Sequence, residues 1–121
     1  MIHAGWRGIV SGIIENSIEK MLLLGADLKE IKIYLGPSIG KCCYEVDWDV
    51  AQFFSCISKN NKENKWLLNL NQEIKNDILK FGIPIKNIYS SDICTYESLN
   101  CESFRRDGLK ANRMLGVIKY V

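Results

Sequence analysis

The chain has 121 residues, of which 47% are hydrophobic and 25% charged, as in an average soluble globular protein. This length predicts one domain over residues 1–121 and excludes a second domain of ordinary size. No apolar run reaches the ~18 residues that span a bilayer, no secretory signal is visible, and a net charge of +2 does not favour nucleic-acid binding. We therefore expect a cytoplasmic protein with neither a membrane nor a nucleic-acid partner.

Helices and strands are predicted to alternate along the chain. Apolar residues recur at helical spacing over 9–24, 48–57 and 70–81, and β-rich runs cover 30–35, 87–91 and 115–121. The alternation indicates a mixed α/β or α+β layer fold.

The ends of these elements also carry signals. Gly25 is expected to end the first helix, Asp47 to cap the second, and Asn69, with Gln72 at capping-box spacing, to begin the third. The polar run 58–65 predicts a surface loop.

The five cysteines show no metal-ribbon or disulfide pattern. They are Cys42, Cys43, Cys56, Cys94 and Cys101, an odd number without a CxxC pair. Because no export signal is visible, reduced thiols are the expected state.

The segment HAGWRG, residues 3–8, carries the densest chemical signal. It joins the only histidine, an arginine and two glycines directly ahead of a helix. His3 suits either a metal ligand or an acid/base group, and equally a capping or packing histidine. Arg7 could form a bidentate pair of hydrogen bonds to phosphate or carboxylate. Trp6 is expected to pack in the core.

Two later segments also indicate a site. GPSIGKCCYEV, residues 36–46, follows a predicted strand, where α/β sheets place ligands, although a tight structural turn has the same composition. The segment SFRRDG and the residues after it contain three arginines, Arg105, Arg106 and Arg113. They are compatible with an anion site, with an ion-pair network or with a solvated turn. Pairing of His3 with a cysteine nucleophile is a further chemical alternative.

The chain resembles the YfiH-like laccase-domain family in the order and spacing of its motifs. These motifs are HAGWRG, GPSIGKCCYEV, ICTYES and SFRRDG with Arg113. The resemblance covers essentially the whole chain and corresponds to the C-terminal half of such proteins, so a chain truncated at its N-terminus is expected. It implies an α-β-β-α sandwich, with mixed sheets between helical layers.

The family was first labelled multicopper polyphenol oxidoreductase and is now regarded as purine nucleoside phosphorylases that bind a metal, usually zinc. The resemblance implies phosphorolysis of adenosine or inosine to the base and ribose 1-phosphate, with an adenosine deaminase side activity. Purine nucleoside and phosphate are the implied partners. The alternatives are a copper-dependent polyphenol oxidase and an inactive remnant or half-subunit.

The family's metal is held by two histidines and one cysteine, and the resemblance makes His3 one of the three. The other two lie in HG-type and ADC-type segments, which this sequence does not contain. His3 and Arg7 are thus the implied catalytic residues, and Arg7, Arg105, Arg106 and Arg113 the candidate anion-binding residues. Weak zinc binding is expected from His3 alone; tight binding would require Cys42, Cys43 or Cys94. We also expect a separate N-terminal half, or self-association, to complete the fold.

Overall fold

The computed structural model describes residues 1–60 and 64–119, and these contain five α-helices and five short β-strands. The helices are α1 (Trp6–Val10), α2 (Ile13–Leu23), α3 (Trp48–Ala51), α4 (Leu70–Lys80) and α5 (Phe104–Asp107). The strands are β1 (Ile33–Leu35), β2 (Glu45–Val46), β3 (Ile57–Asn60), β4 (Lys65–Leu68) and β5 (Ile88–Ser90). Single 3₁₀ turns cover Ile85–Asn87 and Gly108–Lys110.

The strands form two sheets of different kinds. β1 and β5 pair in parallel, with Ile33 opposite Ile88. β2, β4 and β3 form an antiparallel sheet in that order, with β4 in the centre. The presence of parallel and antiparallel pairing with helices confirms the predicted mixed α/β fold class.

Helices α2 and α4 supply much of the core. Ile14 and Ile18 on α2, and Ile74 and Ile78 on α4, are buried together with residues of the antiparallel sheet, and partly buried residues of β1 and β5 pack against them. Isoleucines spaced four residues apart share one face of a helix, so each helix presents a single apolar stripe. Burial of each such side chain contributes roughly 1.5–3 kcal/mol.

The predicted helix over 9–24 is wrong in one respect, because it is two helices. Gly12 separates α1 from α2 with a φ of +77°, in the left-handed region that a continuous α-helix cannot contain. The helical spacing of the apolar residues continues across the break, so periodicity alone did not reveal it. The predicted stop at Gly25 is confirmed by its φ of +91°.

The predicted helix over 48–57 is also too long, since α3 ends at Ala51. The backbone N–H groups of Ser55 and Cys56 donate to the buried carboxylate of Glu73 on α4, together with the Ser55 hydroxyl. These N–H groups would have to donate within the helix if α3 continued. The long-range bonds to Glu73 therefore replace helical ones.

The polar run 58–65 is not all loop, because its residues 58–60 belong to β3 and Lys65 begins β4. Lys59 lies opposite Trp66 in the antiparallel ladder, so backbone pairing overrides the polar composition. Residues 61–63 lie outside the described part of the chain.

The strand predicted over 115–121 is not formed by residues 115–119. Their side chains are exposed, and a β-rich sequence forms a strand only where a partner supplies the ladder. Residues 120 and 121 lie outside the described residues.

The third predicted helix and the first two predicted strands are confirmed, whereas Asp47 stands at the N-cap position of α3 without a capping bond, and its carboxylate accepts from the Lys65 Nζ at 2.7 Å instead. α4 begins at an Asn69 cap, whose side-chain oxygen accepts from the backbone N–H of Gln72 at 3.2 Å, and β1 and β5 lie within 30–35 and 87–91. Asn87, buried before β5, donates its side-chain amide to the carbonyls of Lys29 and Ile31 at 2.8 and 3.1 Å, which ties the approaches to both parallel strands together. No helix in the described residues is long and apolar enough to cross a membrane.

We expect Glu73→Ala to lower the free energy of unfolding by about 2–3 kcal/mol, because it leaves the N–H groups of Ser55 and Cys56 without their acceptor. Chemical denaturation monitored by circular dichroism measures this change. Glu19→Ala, at an exposed position of α2, is the matched control and should remain within about 0.5 kcal/mol of the parent chain. Equal effects of the two substitutions would contradict the role assigned to Glu73.

Candidate functional site

The HAGWRG segment lies at the entry to α1, and its side chains pack locally. The imidazole Nε2 of His3 lies 3.2 Å from the position that a Cβ on Gly5 would occupy, so the absence of a side chain at Gly5 leaves room for the ring. The guanidinium of Arg7 lies over the indole of Trp6, 4.7 Å from the ring centroid. His3 and Arg7 are both exposed and accessible to a ligand.

Two of the predicted motifs meet at Tyr44, and the charge of Arg7 from a third acts on its hydroxyl. Its ring is buried after the GPSIG turn, and the guanidinium carbon of Arg105 lies 5.3 Å from the ring centroid. The Nη1 of Arg105 also donates to the carbonyl of Glu45 at 2.9 Å, which fixes its orientation. Burial raises the pKa of the Tyr44 hydroxyl, and the positive charges of Arg105 and Arg7 oppose that rise. Arg7 and Arg105 thus both contribute positive potential at Tyr44.

Arg106 has a different environment from its neighbour Arg105. Its guanidinium donates to the backbone carbonyls of Thr95, Tyr96, Ser98 and Cys101 at 2.8–3.1 Å and forms an ion pair with Asp107 at 2.8 Å. These contacts engage all three of its nitrogen atoms, because Nε also donates to Asp107. The prediction that Arg106 binds an anion therefore finds no support, and its contacts hold the 95–101 turn against α5.

Arg113 lies apart from this cluster. Its side chain is exposed, with one long hydrogen bond of 3.4 Å to the carbonyl of Asn112. The N–H of Asn112 donates to the Glu102 carboxylate at 2.9 Å, which anchors the backbone here. Among the described residues, no contact joins Arg113 to Arg7 or Arg105.

A group of thiols lies at the carboxyl ends of the parallel strands. The turn after β1 and the turn after β5 are joined by a parallel bridge between Ser38 and Cys94. The Sγ atoms of Cys42, Cys43 and Cys94 and a carboxylate oxygen of Glu97 all lie within 4.8 Å of one another. We call these four residues the thiol cluster; they form a donor set that could hold a metal ion.

The thiols of the cluster differ in their electrostatic surroundings. Burial, followed by the neighbouring Cys42 thiol, raises the pKa of Cys43 to about 12. Burial also acts to raise the pKa of Cys94, but backbone N–H groups of Gly40, Glu97 and Tyr96 outweigh it and the pKa is lowered. The N–H of Gly40 lies 3.2 Å from the Cys94 Sγ. Cys94 is thus the thiol whose anion the backbone stabilises.

His3 is not one of the donors in the thiol cluster. Its predicted role as metal ligand and catalytic residue stays a prediction, as do the roles of Arg7, Arg105 and Arg113. The sequence indicated both turns that form the cluster, but the absence of a CxxC pair hid it. The signal that could have revealed it was the parallel pairing of 30–35 with 87–91, which places the two following turns side by side.

Comparison with known proteins identifies the family. The family model described as multi-copper polyphenol oxidoreductase laccase matches residues 1–121, and the chain belongs to that family. The predicted resemblance is therefore confirmed.

The relatives have purine-related names. The chain is 33% identical over 119 residues to a protein named purine nucleoside phosphorylase from Aquifex aeolicus, covering 97% of this chain and 54% of that protein. It is 31% identical over 120 residues to a protein named adenosine deaminase RL5 from an unknown prokaryotic organism, covering 92% and 46%. The chain spans about half the length of the curated relatives it matches.

A solved structure supports the fold. The crystal structure of the hypothetical protein YfiH of Bacillus licheniformis is similar with a TM-score of 0.76 and 30% identity, covering 86% of this chain and 43% of that chain. The likeness extends the agreement from sequence motifs to the arrangement of helices and strands.

The Arg106–Asp107 ion pair predicts how stability depends on pH. The hydrogen bond from Arg106 lowers the pKa of Asp107 below its ordinary value of 3.8. The ion pair therefore stabilises the fold at any pH above 3.8, and this stabilisation is lost as the pH falls through the lowered pKa of the folded state. We expect Asp107→Asn to reduce the unfolding midpoint near neutral pH and to flatten its decline between about pH 5 and about pH 2. Thermal melts across this range provide the measurement, with the exposed Glu30→Gln as control; an unchanged acid profile in Asp107→Asn would refute the assignment.

Proposed function

We propose that this chain contributes the phosphate-binding side of a purine nucleoside phosphorylase site. The observation that carries the proposal is that Arg105 lies over the Tyr44 ring, 5.3 Å from its centroid, and that the charge of Arg7, almost a hundred residues away in sequence, also acts on the Tyr44 hydroxyl. The names of the relatives support the substrate class, since purine nucleoside phosphorylase and adenosine deaminase both act on purine nucleosides.

The reaction requires a site for a phosphate dianion beside the sugar. A phosphate oxygen attacks C1′ of the nucleoside, the bond from C1′ to the purine nitrogen breaks, and the base leaves with the electron pair of that bond and takes up a proton. The products are the free base and ribose 1-phosphate. Arg7 and Arg105 would hold phosphate by charge-assisted hydrogen bonds and limit its repulsion from other negative groups.

A zinc ion at His3 does not fit the donors that the described residues provide. The one group of three or more metal-binding side chains found among them is the thiol cluster, which does not include His3. A metal site at His3 would need ligands other than those that the described residues bring to it, so no step of the reaction is assigned to a metal here. His3 remains the proposed contribution of this chain to such a site.

The parallel sheet supports the proposal that the part of the family protein outside this sequence completes the site. Tyr34 and Tyr89 stack on one face of the β1–β5 pair, with ring centroids 4.7 Å apart, and the two residues are 69% and 44% exposed. Parallel sheets normally have both faces covered, and two strands are few for a stable sheet. We propose that the part of the family protein that this chain does not cover packs on this sheet.

Activity is tested on the chain alone and on the chain co-expressed with the part of the Aquifex relative that it does not match. We expect phosphate-dependent release of base from inosine and adenosine in the co-expressed sample. Arg105→Lys and Arg7→Lys should each raise the KM for phosphate about tenfold, roughly 1.4 kcal/mol, with a smaller change in the KM for nucleoside, because lysine keeps the charge but not the planar fork. His3→Ala should abolish turnover while the fold is retained.

Cys56→Ser is the control for these variants, because Cys56 lies outside the arginine and thiol groups. Wild-type phosphate kinetics in both arginine variants would contradict the proposed phosphate site. Adenosine converted to inosine and ammonia without phosphate would instead establish the deaminase activity, which the name of the RL5 relative favours. Phenol oxidation dependent on added copper would establish the oxidase of the family description. Absence of all three activities from the co-expressed sample would identify an inactive remnant.

The proposed partner also predicts the behaviour of the chain in solution. We expect the isolated chain to self-associate, because exposed apolar side chains such as Tyr34, Leu23 and Leu109 are left uncovered. Size-exclusion chromatography with light scattering measures the mass, and co-expression with the part of the Aquifex relative that this chain does not match should convert the chain to a defined complex. A monodisperse monomer with a sharp cooperative melt would show that no partner is required.

A further inference from the structure

We propose that Cys42, Cys43, Cys94 and Glu97 form a binding site for a thiophilic divalent metal such as zinc, separate from the predicted ligand His3. The site would join the turn after β1 to the turn after β5. The inference is independent of the proposed function, because it concerns four side chains that the arginine site does not use.

The donor chemistry is that of a zinc site. Three thiolates and one carboxylate give four ligands, and zinc in structural sites is tetrahedral with sulfur, nitrogen or oxygen donors. A Zn–S distance of ~2.3 Å places tetrahedral sulfurs roughly 3.7 Å apart. The Cys42 and Cys43 Sγ atoms lie 3.3 Å apart, and all four donor atoms lie within 4.8 Å of one another, so small side-chain rotations give the required geometry.

The backbone around the cluster is shaped for close approach of the sulfurs. A Cβ on Gly40 would lie 3.2 Å from the Cys42 Sγ and 3.4 Å from the Cys94 Sγ, closer than a side chain comfortably packs. The N–H of Gly40 already points to the Cys94 Sγ at 3.2 Å. Hydrogen bonds from neighbouring groups orient metal ligands and tune their donor strength. Gly40 therefore provides both space and a donor to the sulfur.

The position of the cluster gives the metal a structural consequence. Cys42 and Cys43 immediately precede Tyr44, whose ring supports Arg105, and Cys94 precedes the carbonyls that Arg106 holds. A metal bound to both turns would add a cross-link between segments some fifty residues apart, where the sequence shows no disulfide framework. The same metal would stabilise the folded state by an amount that grows with its affinity and its free concentration.

The test uses the whole chain, purified under reducing conditions, stripped with chelator and titrated with zinc or cobalt(II). We expect one metal per chain, a sulfur-to-cobalt charge-transfer band in the near ultraviolet, and a rise in the unfolding midpoint on zinc addition. Cys94→Ser and Cys42→Ser should each weaken zinc binding at least a hundredfold and remove most of that band, and Glu97→Gln should weaken binding by a smaller factor. Cys56→Ser and Cys101→Ser are matched controls and should bind like the parent chain.

Several outcomes would overturn the site. Loss of the metal in His3→Ala with retention in Cys94→Ser would move it to the histidine, which separates this proposal from the proposed function. A Cys42–Cys43 or Cys42–Cys94 disulfide in the freshly purified protein, found by mass spectrometry, would replace the metal with redox chemistry. Absence of a stoichiometric metal in the reduced chain would also refute it. If Cys94→Ser does not fold, the zinc affinities of Cys42→Ser and Glu97→Gln, which change exposed residues, test the site instead. Circular dichroism confirms the fold of each variant.

Discussion

The parallel pairing of β1 with β5 is the constraint on which the rest of the structure depends. It aligns two strands that are more than fifty residues apart and places the turns at their carboxyl ends side by side. The thiol cluster is formed directly by these turns. Tyr44 follows one of them, and the carbonyls that accept from Arg106 belong to the other, so the arginines of α5 are positioned by the same pairing. Asn87 strengthens the arrangement by bonding to the chain before β1.

Two charged side chains organise loops that have little regular structure of their own. Glu73 accepts the N–H groups of the loop after α3, and Arg106 donates to four carbonyls of the turn after β5. Each supplies from a side chain the partners that a helix or a sheet would supply from the backbone, and backbone groups shielded from water need such partners. The consequence for function is seen in two adjacent arginines. The guanidinium of Arg105 is exposed, whereas that of Arg106 is bonded within the chain.

The fold also keeps two groups of reactive side chains apart, the arginines and the thiol cluster. Arg7 and Arg105 create positive potential suited to an oxyanion, while the thiol cluster offers soft donors suited to a thiophilic metal. Family membership connects the chain with enzymes whose names refer to purine nucleosides, and the chain spans about half their length. The exposed face of the two-stranded parallel sheet is the feature of this fold that most needs a covering layer.

Local patterns were sufficient to predict the family motifs, the mixed α/β class, the Asn69 cap of α4, the stop at Gly25 and the positions of β1 and β5. These features depend on periodicity, capping chemistry and turn residues within a few positions of one another. The break at Gly12 depended on a left-handed backbone that apolar periodicity does not register, and the β3–β4 hairpin on ladder bonds that override polar composition. The early end of α3 depended on the carboxylate of Glu73, 17 residues beyond Cys56. The same holds for the site, where sequence supplied the candidate arginines and cysteines. Only the folded chain distinguished Arg105 from Arg106 and brought Cys94 to Cys42 and Cys43, because hydrogen-bond partners and donor distances between remote segments are set by strand pairing and packing.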